Sequence, residues 1–293
     1  MYLNDGLNLR QYTGYTGVES AISPLIGDVR FVSSATGLLG ESYLAYYSPG
    51  SNELYFNEND GNGWNEHTVV NNANISSPIS LMVNHSGNPV IVYLDDVTKK
   101  LHVATFDATW SITNISTSGA INAPSFTGLI DHNDNLVLSV MIDDGTFNNL
   151  TVITHNTTAT ESVYIAAESD GATNLRLVAD DDNGLILSSL TSSGSLIIYE
   201  KLNNSAIWNS ILLPQPQQIG ASNTIDSVGG QTPIIAVNSQ INSVYAKSSN
   251  GWQVIADSFG PEIDEFKLLA DDSHIFMLAS DAITDEILWR SMP

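Results

Sequence analysis

The sequence repeats one apolar pattern six times, and this repeat limits the folds open to the chain more than any other feature. The repeated segments are short and rich in aliphatic and aromatic residues, and they begin at Tyr43, Val90, Val137, Ile186, Ile234 and Phe276. Their first residues are 47, 47, 49, 48 and 42 residues apart. A second apolar series follows about ten residues later, at Leu54, Leu101, Leu150, Leu196, Val244 and Ile287. Two in-phase series with a period in the forties predict a β-propeller or a related array.

The second repeat shows most clearly how one unit divides into strands. Residues 80–83 are apolar and are followed by a turn rich in Asn, Gly and Pro. Residues 90–94 are β-branched and aromatic, residues 101–106 alternate with period two, and residues 110–115 continue in the same way. Four antiparallel strands in one unit are typical of a propeller blade.

The length of the chain fits a single all-β domain, a six-bladed β-propeller of four-stranded antiparallel blades. Six units of about 47 residues use nearly all of the 293 residues. The predicted blades span about 24–70, 77–116, 123–169, 173–213, 219–259 and 262–293. The last unit is one strand short, so we expect an N-terminal strand at about 8–15 to pair with the last blade. This pairing would close the ring and remove an exposed edge.

Charge and cysteine content exclude several classes of partner and site. The net charge of −23, with only nine Lys and Arg residues, repels nucleic acid and anionic membranes. The chain has no cysteine, which excludes disulfides, thiolate metal sites and a cysteine nucleophile. No apolar run approaches the ~18 residues of a membrane helix, so we expect a soluble protein.

The predicted surface is polar, with a low proportion of charged side chains. Charged residues make up 14% of the chain, whereas Asn, Ser and Thr are abundant. This composition is common in extracellular, viral and sugar-binding β proteins. The first six residues show neither the basic nor the apolar segment of a secretory signal. We expect an extracellular or virion-surface location.

An acidic or amide residue ends the predicted first strand of five repeats: Asn84, Asp131, Asp180, Asp226 and Asp271. Such a residue favours an Asx-turn that closes a hairpin. The acidic stretches 57–62 and 180–184 resemble calcium loops but lack the full twelve-residue pattern with its terminal glutamate. The six histidines are not spaced as metal ligands. The sequence therefore predicts neither a metal site nor a cofactor.

Tryptophan marks the predicted fourth strand of four repeats, at Trp64, Trp110, Trp208 and Trp252. These side chains can stack on the C–H face of a sugar, or they can pack between neighbouring blades. The tyrosines at strand ends, including Tyr47 and Tyr93, are open to the same two interpretations.

Three arginines are the candidate residues for a catalytic site. Arg30, Arg176 and Arg290 could meet near the axis of a propeller, as the arginines of a sialidase do. However, no blade turn carries a Ser-x-Asp-x-Gly-x-Thr-Trp box, and no Gly-x-Ser-x-Gly or His-Glu-x-x-His motif occurs. The sequence therefore predicts that the protein is not an enzyme.

The repeated pattern resembles that of the six-bladed fungal fucose-binding lectins. That family repeats an apolar strand ending in Val-Tyr-Tyr, a polar turn, a short third strand and a Trp. The corresponding residues here are 43–47, 52–55 and Trp64 in one repeat, and 90–93, Leu101 and Trp110 in the next. The resemblance implies sugar sites between blades, built from an Arg on the second strand, a Glu on the third and an aromatic residue on the fourth. Glu53 and Trp64 match the Glu and the aromatic residue, whereas no second strand carries an Arg.

These observations predict a non-enzymatic propeller that binds carbohydrate, or another small polar ligand, in clefts between blades. The candidate ligand-binding residues are Trp64, Glu53, Tyr47, Trp110, Tyr93, Trp208 and Trp252. One alternative is a structural or adhesion propeller, such as a virion or tail component, that binds a protein partner. The other is a glycoside hydrolase of sialidase-like architecture.

Overall fold

The structure, a computed structural model, is built from β-strands. It describes residues 2–4, 9–13, 18–21, 29–117, 119–121, 126–146, 148–156, 160–167, 173–190, 196–203, 205–213, 224–238, 243–257, 263–270, 275–281 and 287–292. These ranges contain no helix. The described part of the chain accordingly offers no long apolar helix of the kind that crosses a membrane.

The strands form seven antiparallel sheets in chain order. The N-terminal sheet has three strands, β1 (Tyr2–Asn4), β2 (Leu9–Thr13) and β3 (Val18–Ala21). The first blade has four, β4 (Arg30–Thr36), β5 (Ser42–Ser48), β6 (Glu53–Asn59) and β7 (Trp64–Asn71). The second has β8 (Ser80–Val83), β9 (Pro89–Asp95), β10 (Lys100–Asp107) and β11 (Thr109–Ile115).

The third blade contains five strands, β12 (Ala120–Ile121), β13 (Thr127–Ile130), β14 (Leu136–Asp143), β15 (Asn148–His155) and β16 (Thr160–Ala167). Because β12 and β13 both pair with the same edge of β14, they are two halves of one inner strand. The fourth blade contains β17 (Thr173–Ala179), β18 (Leu185–Leu190), β19 (Leu196–Lys201) and β20 (Asn209–Leu212).

The last two sheets complete the chain. The fifth blade contains β21 (Thr224–Val228), β22 (Ile234–Asn238), β23 (Ser243–Ser248) and β24 (Gly251–Asp257). The sixth blade has three strands, β25 (Ile263–Ala270), β26 (Ile275–Asp281) and β27 (Ile287–Met292).

The first strands of the six blades contact one another in chain order, from β4 through β8, β13, β17 and β21 to β25. Sheets that meet along their innermost strands radiate from a common axis, which is the arrangement of a propeller. The prediction of an all-β propeller built of four-stranded antiparallel blades is therefore confirmed.

The described strands do not show the predicted ring closure. The N-terminal segment does form a strand, β2, but this strand pairs with β1 on one side and with β3 on the other. A strand paired on both edges has no free backbone groups to offer to the last blade. The segment instead forms a seventh sheet. Its three short strands precede the first copy of the repeat, so a period near 47 residues does not reveal them.

The core lies between the blades. The second strand of each of the first five blades is a nearly continuous apolar run, as expected of a strand covered on both faces. In β5, Leu44, Ala45 and Tyr46 are all fully buried. Side chains from adjacent blades interlock into shared clusters, one between the first and second blades and another between the fourth and fifth.

Candidate functional site

The four tryptophans predicted to mark the fourth strands are all half-buried. Trp110 packs with the cluster shared by the first two blades, and Trp252 with the cluster shared by the fourth and fifth. Trp208 packs against a cluster that includes the third blade, and Trp64 against Leu44 and its neighbours. Trp110 and Trp252 thus lie at inter-blade boundaries, whereas Trp64 packs against its own blade.

Trp110 is mainly a packing residue. Its ring lies edge-on to Phe56 of the first blade, with centroids 5.3 Å apart, and 5.2 Å from the ring of Phe106. Its buried Nε1–H has no hydrogen-bond partner among the described residues.

Glu53 and Trp64 do not form one site. Glu53 pairs with Asn71 at one end of the β6–β7 hairpin, whereas Trp64 pairs with Asn59 at the other end. Six residues of strand separate Glu53 from Asn59, a distance of about 20 Å. The Glu53 carboxylate instead accepts a hydrogen bond from the hydroxyl of Tyr55. The sequence shows that Glu53 and Trp64 are eleven residues apart, but it does not show where the hairpin turns. The register of the hairpin, and hence the distance between these two side chains, therefore could not be read from the sequence.

Tyr47 and Tyr93 are core residues, with 4% and 3% of their surface exposed. The Tyr47 hydroxyl donates to the carbonyl of Ala73 at 3.0 Å and thereby ties the loop after β7 to the blade. Tyr93 stacks on His102 with centroids 5.0 Å apart and an angle of 10° between the rings. Burial, and then the charge of Asp95, raise the pKa of Tyr93 to about 12. Neither ring is placed to meet a ligand.

Trp252 belongs to a polar cluster that joins the fourth and fifth blades. Its Nε1–H donates to Oε1 of Glu200, on β19 of the preceding blade. Lys247 on β23 places its Nζ 3.4 Å from Oε2 of Glu200 and 3.8 Å from Oδ2 of Asp180. The side chains of Glu200 and Asp180 are each 16% exposed, so these charges are held largely away from solvent.

Glu200 and Lys247 are not among the residues that the sequence analysis selected. A signal was present, because Lys247 is the only cation between residues 219 and 259 and lies five residues before Trp252. The sequence could not show that Glu200, 47 residues earlier, faces this lysine from the next blade.

A polar cleft of about 380 Å³ opens beside this cluster, and we name it the fourth–fifth cleft. The turn after the first strand and the turn after the third lie at the same end of an antiparallel blade. The cleft is built from these two turns in both blades, and its lining includes Asp181, Asp182, Asn203, Gln231, Lys247 and Ser249. Leu202, 61% exposed, adds an apolar surface to the same lining.

Asx-turns form at the ends of three first strands. The side-chain oxygen of Asp131 accepts the backbone N–H groups of Asn133 and Asn135 at 2.9 and 2.8 Å. Asn84 makes the equivalent bonds in the second blade, and Asp180 accepts the N–H of Gly184 at 2.6 Å. The described residues contain no group of three or more side chains placed to hold a metal ion.

Asp226 departs from this pattern. Its carboxylate is directed between blades, where it accepts Nε–H of Arg176 at 3.1 Å and the backbone N–H of Leu268 at 2.8 Å. It therefore links the innermost strands of the fourth, fifth and sixth blades. Asp271, the fifth residue of the predicted series, lies outside the described residues.

The three arginines considered for the axis are not equivalent in position. Arg30 lies on β4 and Arg176 on β17, both innermost strands, but Arg290 lies on β27, the third strand of its sheet. Arg176 is moreover engaged with Asp226. A tyrosine–glutamate pair does occur, between Tyr46 and Glu66. Tyr46 is fully buried, however, and this burial, together with the bond to Glu66, raises the pKa of its hydroxyl.

Comparison with known proteins identifies the architecture. No protein-family model matches the chain, and no curated protein is significantly similar to it in sequence. Among solved structures, the BP39L lectin from Burkholderia pseudomallei superposes with a TM-score of 0.75 at 12% identity, covering 99% of this chain and 91% of that one. The SapL1 lectin, solved in complex with alpha methyl fucoside, has a TM-score of 0.60 at 14% identity and covers 89% and 95%.

A glycosidase shares the fold as well. The Hadza microbial sialidase Hz136 superposes with a TM-score of 0.59 at 11% identity, covering 90% of this chain and 65% of that one. The chain therefore has the fold of propellers that include fucose-binding lectins and glycoside hydrolases.

Proposed function

We propose that this protein is a non-enzymatic carbohydrate-binding propeller and that the fourth–fifth cleft is its binding site. The observation that carries the proposal is the cluster of Glu200, Lys247 and Trp252, in which side chains from two blades meet beside an open polar cleft. A sugar presents hydroxyl groups that both donate and accept hydrogen bonds, and the amide, hydroxyl and carboxylate side chains of the cleft match them. A volume of about 380 Å³ is within the usual range for small-ligand sites.

The position of this cluster also supports the proposal. In the lectin family that the repeats resemble, the site combines a Glu on the third strand with an aromatic residue on the fourth. Glu200 on β19 and Trp252 on β24 satisfy both requirements, across two neighbouring blades. Lys247 supplies a cation from the third strand, where the family uses an Arg on the second. We therefore infer carbohydrate as the ligand class and leave fucose as one sugar among those to test.

The absence of catalysis is part of the proposal. A sialidase-like nucleophile needs an accessible tyrosine of lowered pKa, whereas Tyr46, paired with Glu66, is buried and has a raised pKa. Incubation with fluorogenic sialosides and arabinofuranosides should release no fluorophore. Turnover that follows the purified protein through two chromatographic steps would instead favour the hydrolase.

The deciding experiment is a broad glycan array with and without calcium, followed by variants of the cleft. Asn203→Ala and Gln231→Ala remove exposed cleft side chains and should weaken binding of the identified glycan about fivefold or more, the loss of one or two hydrogen bonds. Asn133→Ala, in the equivalent turn of the third blade, is the matched control and should bind like wild type. A blank array with folded protein, or equal loss in the control, would contradict the proposal.

A protein partner is the second candidate, because one turn exposes two adjacent leucines. Leu38 and Leu39, between β4 and β5, are 63% and 91% exposed, and their turn lies at the same end of the propeller as the cleft. If the protein bound no glycan on the array, we would propose instead that it binds a protein partner through this surface.

A further inference from the structure

We propose that the fourth–fifth cleft selects sugars that carry a free amino group and rejects acidic sugars. This inference rests on the proposed carbohydrate-binding function and specifies its ligand class. It follows from how the charges of the cleft are already paired.

The cation of the cleft is not available to an anionic ligand. Lys247 is the only Lys or Arg among the residues that line the cleft. Its ammonium lies between Glu200 and Asp180, at 3.4 and 3.8 Å, so two carboxylates face one positive charge. A sialic or uronic acid placed here would bring a further negative charge beside an already neutralised lysine, which is unfavourable.

Two carboxylates of the cleft, in contrast, are unused. Asp181 and Asp182 follow the Asx-turn residue Asp180 and are exposed, and no described residue bonds to either side chain. Oδ1 of Asp181 reaches across the blade boundary to within 3.6 Å of the place where a Cβ on Gly230 would lie. In the corresponding turn of the third blade the exposed acid, Asp134, is engaged: it accepts the backbone N–H of His85 at 2.9 Å.

A protonated amino group fits this arrangement. An ammonium has three donors and no acceptor, so it can bond to Asp181 and Asp182 while neighbouring hydroxyls bond to Asn203 or Gln231. The net charge of −23 adds a long-range field that attracts cations to the cleft and repels anions from it.

The test compares three trisaccharides of equal length at pH 6, made of glucosamine, N-acetylglucosamine or glucuronic acid, and repeats the series with galacto-configured sugars. Calorimetry should give the amino sugar an affinity up to about fivefold above that of its N-acetylated form, in line with one exposed ion pair. The acidic sugar should bind more weakly than either. Raising the salt concentration to about 0.5 M should reduce the preference, because exposed charges are then screened.

The variant Asp181→Asn/Asp182→Asn should abolish the preference while retaining binding of the N-acetylated sugar. Asp107→Asn/Glu161→Gln changes the net charge equally, at exposed positions in the second and third blades, and should keep the preference.

The outcomes separate the two proposals. Equal binding of amino and N-acetylated sugars, or stronger binding of the uronic acid, would overturn the charge selection while leaving carbohydrate binding intact. A preference that the control variant also loses would place its origin in the overall charge and would likewise overturn the inference. If no sugar of either series and no glycan on the array bound to the protein, the proposal of carbohydrate binding itself would be overturned.

Discussion

Asp226 shows how one residue can serve a different purpose from its counterparts in other repeats. Asn84, Asp131 and Asp180 close their own turns, whereas Asp226 bonds to the blades on either side. The carboxylate is nearly buried, at 11% exposure, and satisfies both a guanidinium and a backbone N–H. Asp226 is therefore expected to matter more for stability than the other members of the series.

Substitution of Asp226 tests this expectation. Asp226→Ala leaves Arg176 and the Leu268 N–H without their acceptor and should lower the free energy of unfolding by about 3 kcal/mol. Asp226→Asn keeps an oxygen for Leu268 and should cost about half as much. Urea denaturation followed by fluorescence measures both. Asp131→Asn, which preserves its turn, should stay within about 0.5 kcal/mol of wild type; a similar loss there would contradict the special role of Asp226.

We expect His102 to make the stability of the protein fall at acidic pH. Its Nε2 is buried without a partner among the described residues. Burial lowers the pKa of this imidazole below the usual 6.5, an effect that Asp95 opposes and Lys100 reinforces. Near pH 6.5 the unfolded chain therefore takes up a proton that the folded chain does not, so stability falls as the pH drops below about 6.5. The loss ends below the folded-state pKa, where both states are protonated.

Denaturation midpoints between pH 7.5 and 5 should fall less steeply for His102→Gln than for wild type. His155, whose pKa is also lowered by burial, keeps its contribution in both proteins. His85→Gln, at a side chain 55% exposed, should retain the wild-type slope. Parallel curves for wild type and His102→Gln would show that His102 does not carry the effect.

At the scale of the element, the turn between β21 and β22 fits closely against the neighbouring blade. The N–H of Gly230 donates to the carbonyl of Ala179 at 3.1 Å, and Gly230 forms an isolated parallel bridge with Asp180. A Cβ on Gly229 would lie 1.9 Å from the same carbonyl oxygen. Only glycine allows this approach, and it sets the separation of the two blades at the cleft.

Gly229→Ala should force the two blades apart at the cleft. We expect a loss of about 1–3 kcal/mol in unfolding free energy, the range for overpacked sites, together with weaker binding of whichever glycan the wild type binds. Gly50→Ala, where an added Cβ has nothing within 4 Å, is the control and should change neither. Wild-type stability and affinity for Gly229→Ala would show that the turn is free to move.

The sequence alone was most informative about individual strands and turns. Period-two alternation and the Asn, Gly and Pro turns located the four strands of the second repeat, and the structure places strands at the corresponding positions. These signals are local, because burial on alternate faces and turn conformation act within a few residues. Glu53 and Trp64 were matched to one sugar site, but the distance between them depends on the register of the hairpin, which the sequence does not show. The contact between Glu200 and Trp252 was missed because the two residues lie in different blades.

At the scale of the whole molecule, the repeat predicted the propeller but not how it is completed. Periodicity counts copies that resemble one another, and the strands β1–β3 do not resemble the six blades. Periodicity likewise does not locate the proposed binding site. Four blades share a tryptophan, but Glu200, Lys247 and the open cleft occur together at one described boundary. Under the proposed function, divergence between repeats therefore decides which boundary carries the binding site.

The fourth–fifth cleft is lined by Asp181 and Asn203 from one repeat and by Gln231 and Lys247 from the next, so neither repeat contains the complete cleft. Deleting or exchanging a single repeat would remove the pairings at both of its borders, and duplicating one would place a copy beside a new neighbour. A gene that grows by copying whole repeats would thus inherit half-sites rather than sites. New specificities in such a lineage would arise by recombination of neighbours, without a single point mutation inside a cleft.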